Sequence, residues 1–441
     1  MRSGILRQAA SFLMIASFVL SQVSCASEPL DLLSGSYTLS GDQSDVTVMS
    51  DGNTLMIGQK GSGKFIEGYS LSFTAPDGKD ISIAYRSHIQ DAGWYQWQPS
   101  GTQITYQPYF AVDTFQMMTY GRDAFMYEVS YRVAAVGEDW QEWVSDGAMT
   151  GEADEHRPIE AIEIRFEPRE GYEPSTWTLT QYSDDSDQQS MFYTMRNNDD
   201  GTLIVVDGGY PANTDQVRAI INLYGGHVDH WFLTHYDEDH ASVLNGIYGN
   251  LCGITIDNIY ATPLDYDYYM SFAVERWWDT PWVYEEFLRQ TEGDERVHYL
   301  SRGDSFEIDG LRIDVFNAYD QVVVDTGDAD VANLSSLMFK ITGVNDSILF
   351  CGDVHGGFGM TLLDMYGDAL RAEYVQPGHH GNNSIPREFY EALEPEVMLF
   401  DGPPWLTQTD TYTAKALIEW CHENGIETYE FESAPNSFAF E

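Results

Sequence analysis

A chain of 441 residues with 43% hydrophobic and 14% aromatic side chains carries enough apolar material for two or three packed domains, which excludes a disordered chain. Its 70 Asp and Glu against 22 Lys and Arg, a formal charge of −48, disfavour sequence-independent binding to a phosphate backbone. Small ligands, cationic groups and metal-bridged phosphates stay compatible with that surface, and the dispersed cysteines Cys25, Cys252, Cys351 and Cys421 exclude a disulfide scaffold while leaving room for one bridge among the last three.

Residues 1–26 begin with Arg2 and Arg7, continue with an apolar run of about a dozen residues and end on the small residues Ser24 and Ala26. This is the pattern of an export signal cut after Ala26, because the apolar run is too short to span a bilayer. Cys25 offers an alternative, lipidation as the new terminus, although Gln22 stands where such signals usually carry Leu. The expectation is a secreted or cell-surface protein, free or as a lipoprotein.

Residues 27–170 form the next unit. From about residue 35 to 166, short alternating runs such as D-V-T-V-M and S-L-S-F-T-A lie between turn signals such as S-D-G-N and P-D-G-K, which predicts an all-β domain. The unit contains an internal echo. Tyr85-Arg86 precedes Trp94 and Trp97, and Tyr131-Arg132 precedes Trp140 and Trp143 at the same spacing. These residues resemble the clostridial hydrophobic repeat with its Gly-Trp signature, which Gly93-Trp94 keeps and Asp139-Trp140 does not. Buried aromatics of a small β-module account for the tryptophans; the resemblance implies contact with a cell wall. G-Q-K-G-S-G-K, from Gly58 to Lys64, fits most of a P-loop, but Phe65 replaces the Ser or Thr that must reach magnesium. A hairpin tip between two strands is the expectation there.

From about residue 175 to 441 strands alternate with helices, the mark of an α/β domain. L-I-V-V-D (203–207) is a buried strand, T-D-Q-V-R-A-I-I-N-L-Y-G a helix stopped by Gly225, and W-F-L-T the next strand. Further strands are L-R-I-D-V-F, S-L-M-F-K-I, S-I-L-F-C and E-Y-V-Q, and Y-T-A-K-A-L-I-E-W-C-H-E-N-G is the final helix. Three strand ends carry metal-ligand chemistry: H-Y-D-E-D-H after W-F-L-T, G-D at Asp353, and H-H-G at His379 and His380. Imidazole with carboxylate and no thiolate suits zinc, and also manganese or iron. His355 is expected to be a loop residue, and His227 and His230 to precede the strand.

These motifs, in this order, with D-G-G after Leu203–Asp207 and N-x-S before a later strand, resemble the metallo-β-lactamase-fold hydrolases. The nearest branch contains the ComEC-type soluble domain and secreted phosphorylcholine esterases. The resemblance implies a four-layer αββα sandwich and two divalent metal ions. His235 and Asp237 would face the first ion, Asp239, His240 and His380 the second, and Asp353 both. His379 would touch substrate, Asp239 would also orient the attacking water, Asp207 would hold the His/Asp box, and Asn333 and Ser335 would lie near the site. The family's intermediate His is missing, since His298 alone lies between the box and Asp353, in a strand-like V-H-Y-L. The chemistry implied is metal-assisted hydrolysis of phosphodiester bonds in small-molecule or cell-surface polymer substrates. A secreted nuclease of the same fold, disfavoured by the charge, and a catalytically decayed surface-binding protein are the alternatives. The insertion from Asp265 to Phe287 reads as an amphipathic helix packing its tryptophans, or as an aromatic lid for a quaternary ammonium group, with Trp277, Trp278 and Trp282 as the residues concerned.

Overall fold

The computed structural model describes residues 32–441, apart from 43–44, 106–109, 185, 274–275, 277 and 432–433. The segment expected to be an export signal, Cys25 and Trp277 therefore lie outside the described residues. Among the described residues no helix is long and apolar enough to cross a membrane, and Cys252, Cys351 and Cys421 are free thiols.

Strands from Leu33–Leu39 to Ile159–Pro168 form three four-stranded antiparallel sheets and the two-stranded pair His88–Ile89 with Gly93–Trp94 around one apolar core. Alternation drives this: in Tyr127–Ala135 the residues Val129, Tyr131 and Val133 are buried and the intervening side chains less so. The two tryptophan repeats are built alike. The Tyr85 hydroxyl donates to the Thr102 carbonyl and the Tyr131 hydroxyl to the Ala148 carbonyl. The Arg86 guanidinium lies 4.5 Å and 4.9 Å from the rings of Trp94 and Trp97, and Arg132 lies 4.9 Å and 4.5 Å from those of Trp140 and Trp143. Such cation–π sandwiches explain why Arg follows Tyr in both copies. The first repeat is thus structurally complete, although its sequence degrades after Trp97.

The G-Q-K-G-S-G-K stretch departs from expectation. Thr54–Gly58 pairs with Ile159–Pro168, whereas Ile66–Phe73 pairs with Leu33–Leu39, so the stretch links two sheets rather than capping a hairpin. Its amides are engaged, with Gly61 N and Gly63 N donating to the two carboxylate oxygens of Glu160 at 2.6 and 3.2 Å. A phosphate has no place there.

The remainder is a sandwich of two seven-stranded sheets. The first runs in the order Val297–Tyr299, Thr255–Ala261, His227–Leu233, Leu203–Asp207, Phe192–Asn197, Trp177–Gln181 and Asn436–Phe440. The second runs Ser305–Ile308, Leu311–Asn317, Met338–Thr342, Ser347–Phe350, Tyr374–Gln376, Val397–Leu399 and Glu427–Tyr429. Strand alternation sorts the layers. Ile204 and Val206 face Ile348 and Phe350 across the central core, while Leu203 and Val205 pack outward with Val217, Ile220 and Leu244 of the helices Thr214–Leu223 and Glu238–Gly249. On the other side Leu349 and Cys351 meet Phe358, Leu362 and Phe389 of Gly356–Tyr366 and Arg387–Leu393. The result is the αββα order. Seven of these strands carry no signal marked in the sequence: Trp177–Gln181, Phe192–Asn197, Thr255–Ala261, Ser305–Ile308, Val397–Leu399, Glu427–Tyr429 and Asn436–Phe440, the last returning to the edge of the first sheet. His227 and His230 lie inside their strand rather than before it.

The β-domain docks on the outer face of the first sheet. Trp97, 2% exposed, joins Ala84 and Met118 in the apolar cluster that holds Phe192, Leu203 and Val217. Tryptophan from the first repeat is therefore interdomain core, as burial of its large apolar area requires.

Candidate metal centre

The parallel strands Leu203–Asp207 and His227–Leu233 end at the same edge of the first sheet, and Ser347–Phe350 and Tyr374–Gln376 end beside them in the second. Each then turns sharply and releases a polar side chain. Asp207 has φ +52°, a left-handed backbone that Asp tolerates better than most residues. Its fully buried carboxylate accepts from Thr234 N at 2.7 Å, Thr234 Oγ1 at 2.6 Å and His240 Nδ1 at 2.7 Å. A carboxylate can only accept, so His240 carries a proton on Nδ1, and Nε2 is the nitrogen presented to the crevice.

His235 follows Thr234 directly, and Asp237, Asp239 and His240 open the helix Glu238–Gly249. His240 Nε2 lies 3.3 Å from Asp353 Oδ1 and 3.3 Å from His380 Nε2. His380 Nε2 lies 3.2 Å from Asp239 Oδ2 and 3.6 Å from Asp353 Oδ2. His235 Nε2 lies 3.7 Å from Asp237 Oδ2 and 4.0 Å from Asp353 Oδ2. Ligand atoms converge within 4.8 Å in two buried groups, His235–His240–Asp353 and Asp239–His240–His380. Asp237 stands beside His235 and belongs to neither group.

Backbone strain delivers the last ligand. His379 and His380 are consecutive non-glycine residues with φ of +53° and +54°, a conformation costing about 1–3 kcal/mol at each. It is held by His379 N donating to the Gly352 carbonyl at 3.0 Å and His380 Nδ1 to the Asp401 carbonyl at 3.0 Å. Only glycine fits at 378, where a Cβ would meet the Val354 carbonyl oxygen at 2.0 Å. His380 thereby reaches the cluster. His379 turns away, with Nδ1 on the Asn382 carbonyl at 2.5 Å and its ring 5.6 Å from that of His355.

Burial opposes ionisation of Asp239 and Asp353, yet the neighbouring imidazoles His240 and His380 hold both carboxyls well below the usual range. Burial likewise opposes charge on His240 and His380, and the facing carboxylates raise both. Burial pushes the Asp237 carboxyl up. Three buried atoms, His235 Nε2, Asp237 Oδ1 and Asp353 Oδ1, have no hydrogen-bond partner. Buried polar atoms are almost always satisfied. An imidazole nitrogen and two carboxylate oxygens left over at one place fit divalent cations.

Two expectations need correction and several contacts are new. Ser335 does not face the site: its hydroxyl donates to the Val331 carbonyl at 2.5 Å within its own short helix. Ser336 does the work instead, its Oγ accepting from Asp353 N at 3.0 Å. The neighbouring serine of a Ser-Ser pair was the available signal. Gln189 Nε2 donates to Asp239 Oδ2 at 3.2 Å from a loop with no motif. His355 is the N-cap residue of Gly356–Tyr366 and pairs with Asp330 Oδ2 at 3.1 Å, and Asp330 in turn meets Arg276 at 3.0 Å. Arg276 comes from the insertion, which folds as two helices, Tyr266–Ala273 and Pro281–Thr291. Packing does not hold for Trp278 and Trp282, which are 50% and 55% exposed. His298 lies on the far strand Val297–Tyr299, bonded to Asn258.

Comparison with known proteins agrees with this architecture. Residues 185–402 match the model of the metallo-beta-lactamase superfamily, and residues 136–168 match clostridial hydrophobic W. No curated protein matches the chain. Among solved structures, it is similar to the metallo-beta-lactamase fold protein YhfI from Bacillus subtilis, at 9% identity and TM-score 0.37 over 59% of this chain and 99% of that one. It is also similar to the metallo hydrolase Igni18 from Ignicoccus hospitalis, at 14% identity and TM-score 0.39 over 60% and 100%. A third is CmlA, a diiron beta-hydroxylase from Streptomyces venezuelae, at 13% and 0.39 over 62% and 55%. The chain thus has a metallo-β-lactamase-fold region matched by that superfamily's model, with a clostridial hydrophobic W match before it and candidate metal-binding residues that converge.

Proposed function

We propose that the protein is a secreted or surface-held, metal-dependent phosphodiesterase acting on small molecules or surface polymers. The observation that carries the metal-dependent part is the pair of buried ligand groups sharing His240, with Asp353 against both and three orphaned donor atoms between them. His235 and Asp237 would hold one ion, Asp239, His240 and His380 the other, and Asp353 both. When bound, such a pair brings the pKa of a water towards neutrality and offsets charge developing on the ester.

The chain's own residues do the rest. Asp207 fixes the tautomer of His240, and Gln189 donates to Asp239 Oδ2, the oxygen that also faces His380. That leaves Asp239 placed to orient a water and take its proton. With Nδ1 tied to Asn382, His379 has Nε2 left for a substrate oxygen. Trp278 and Trp282 stand exposed on the insertion whose Arg276 reaches Asp330, in keeping with an aromatic rim able to meet a quaternary ammonium group. The formal −48 favours such cationic headgroups over nucleic acid. The exposed-side repeat with Trp140 and Trp143 would keep the enzyme near a cell wall.

The test is turnover of bis(p-nitrophenyl) phosphate and p-nitrophenylphosphorylcholine by purified protein loaded with zinc or manganese. Turnover lost in His240→Ala supports the assignment. A protein that holds both ions and cleaves neither ester contradicts it.

A further inference from the structure

The donors assigned to the first ion are His235, Asp237 and Asp353, and a site that also holds a water can still take a further protein ligand. A fourth orphaned atom lies on the next segment. Asn333 is 4% exposed, and its Oδ1 is buried with no hydrogen-bond partner. The orientation of its amide is fixed by chemistry, because Nδ2 donates to the Asp330 carboxylate at 3.3 Å and a carboxylate cannot donate back. The turn that carries it is pinned to both ligand strands. Ser336 Oγ accepts from Asp353 N at 3.0 Å, and Leu337 N donates to the carbonyl of Thr234, the residue before His235, at 2.8 Å. A buried amide oxygen without a partner is destabilising. Cations are the partners that satisfy an amide oxygen, two carboxylates and a bare imidazole nitrogen together.

We infer that Asn333 Oδ1 is a ligand of the first metal ion, an assignment that rests on the metal-dependent reading above. The two sites then differ in kind. The first offers one imidazole and three oxygens, from Asp237, Asp353 and Asn333. The second offers two imidazoles, His240 and His380, with carboxylates. Oxygen-rich sites suit manganese and imidazole-rich ones zinc, so of the pair the first site discriminates less against manganese.

The test counts bound ions rather than activity. Chelator-stripped protein is given one equivalent of Zn2+ and then Mn2+, bound ions are counted by mass spectrometry, and Mn2+ affinity is read from the disappearance of its free electron-paramagnetic signal. Wild type should hold about one of each. Asn333→Ala should keep zinc and bind Mn2+ about 10–100-fold more weakly. Asn333→Asp should retain manganese. Unchanged Mn2+ affinity in Asn333→Ala overturns the inference, as does weakened Mn2+ binding by folded Asn333→Asp. Wild type holding no metal at all would instead overturn the metal-dependent reading itself.

Discussion

Asp207 touches no proposed ion, yet replacing it by Asn should disarm one. The carboxylate accepts three hydrogen bonds, from Thr234 N, Thr234 Oγ1 and His240 Nδ1. An Asn amide oxygen can still accept from Thr234 N, and its NH2 can donate to the threonine hydroxyl. The same NH2 then faces His240 Nδ1. Two donors cannot face each other, so the imidazole must move its proton to Nε2 and accept through Nδ1. Nε2 is the nitrogen 3.3 Å from both Asp353 and His380, and a proton there blocks ligation. Losing this kind of support typically weakens metal binding about 10–100-fold, or roughly 1.4–2.7 kcal/mol. The left-handed backbone at 207 accommodates Asn, so the fold itself should survive. Zinc titration of chelator-stripped Asp207→Asn, with circular dichroism to confirm folding, is the assay. Wild-type affinity in a folded Asp207→Asn would refute the tautomer argument.

Trp97→Ala should destabilise the protein by about 3–5 kcal/mol, because it empties an interdomain site of a large buried ring; a loss under about 1 kcal/mol in chemical denaturation would show that the domains dock without it. His88 is buried; burial lowers its pKa, but the Asp113 carboxylate at 2.8 Å, with Asp154 at 3.6 Å, raises it on balance. A raised pKa in the folded state contributes stability that is whole below the unfolded value, about 6.5, and is lost as pH climbs through the folded one. The melting temperature of wild type relative to Asp113→Asn should therefore be highest below that value and shrink with rising pH, and a pH-independent difference would contradict the pairing. Trp282→Ala should change stability by no more than about 0.5 kcal/mol, given its exposure; a selective rise in KM for p-nitrophenylphosphorylcholine over bis(p-nitrophenyl) phosphate would place it on the substrate path, and equal kinetics would remove it.

Much of the fold was legible because period and composition agree along the chain. Leu203–Asp207 is an unbroken apolar run that can only be a strand buried on both faces, and Glu238–Gly249 opens on acidic residues and continues apolar. The His/Asp box, Asp353 and the His pair were visible as residue types at strand ends. What stayed hidden depends on tertiary geometry. Asn436–Phe440 lies at an edge more than 250 residues from its partner strand, and no local signal announces such a pairing. The resemblance favours His380 over His379 as the ligand, but the two successive left-handed residues that carry the pair are not displayed by a sequence. Ser335 and Ser336 are adjacent and chemically identical, so only the helix that ends there decides which one reaches Asp353. The supposed hairpin at Gly58–Lys64 failed because turn chemistry marks a change of direction without naming the sheet that follows.

The most direct test of the metal centre is the number of ions per chain, by mass spectrometry, in protein purified without chelator, compared with His240→Ala. His240 sits in both ligand groups and Asp353 contacts it directly. The structure therefore predicts about two divalent ions in wild type and at most one, weakly held, in His240→Ala. Wild type carrying none after incubation with zinc and manganese, or His240→Ala retaining both, would contradict the account.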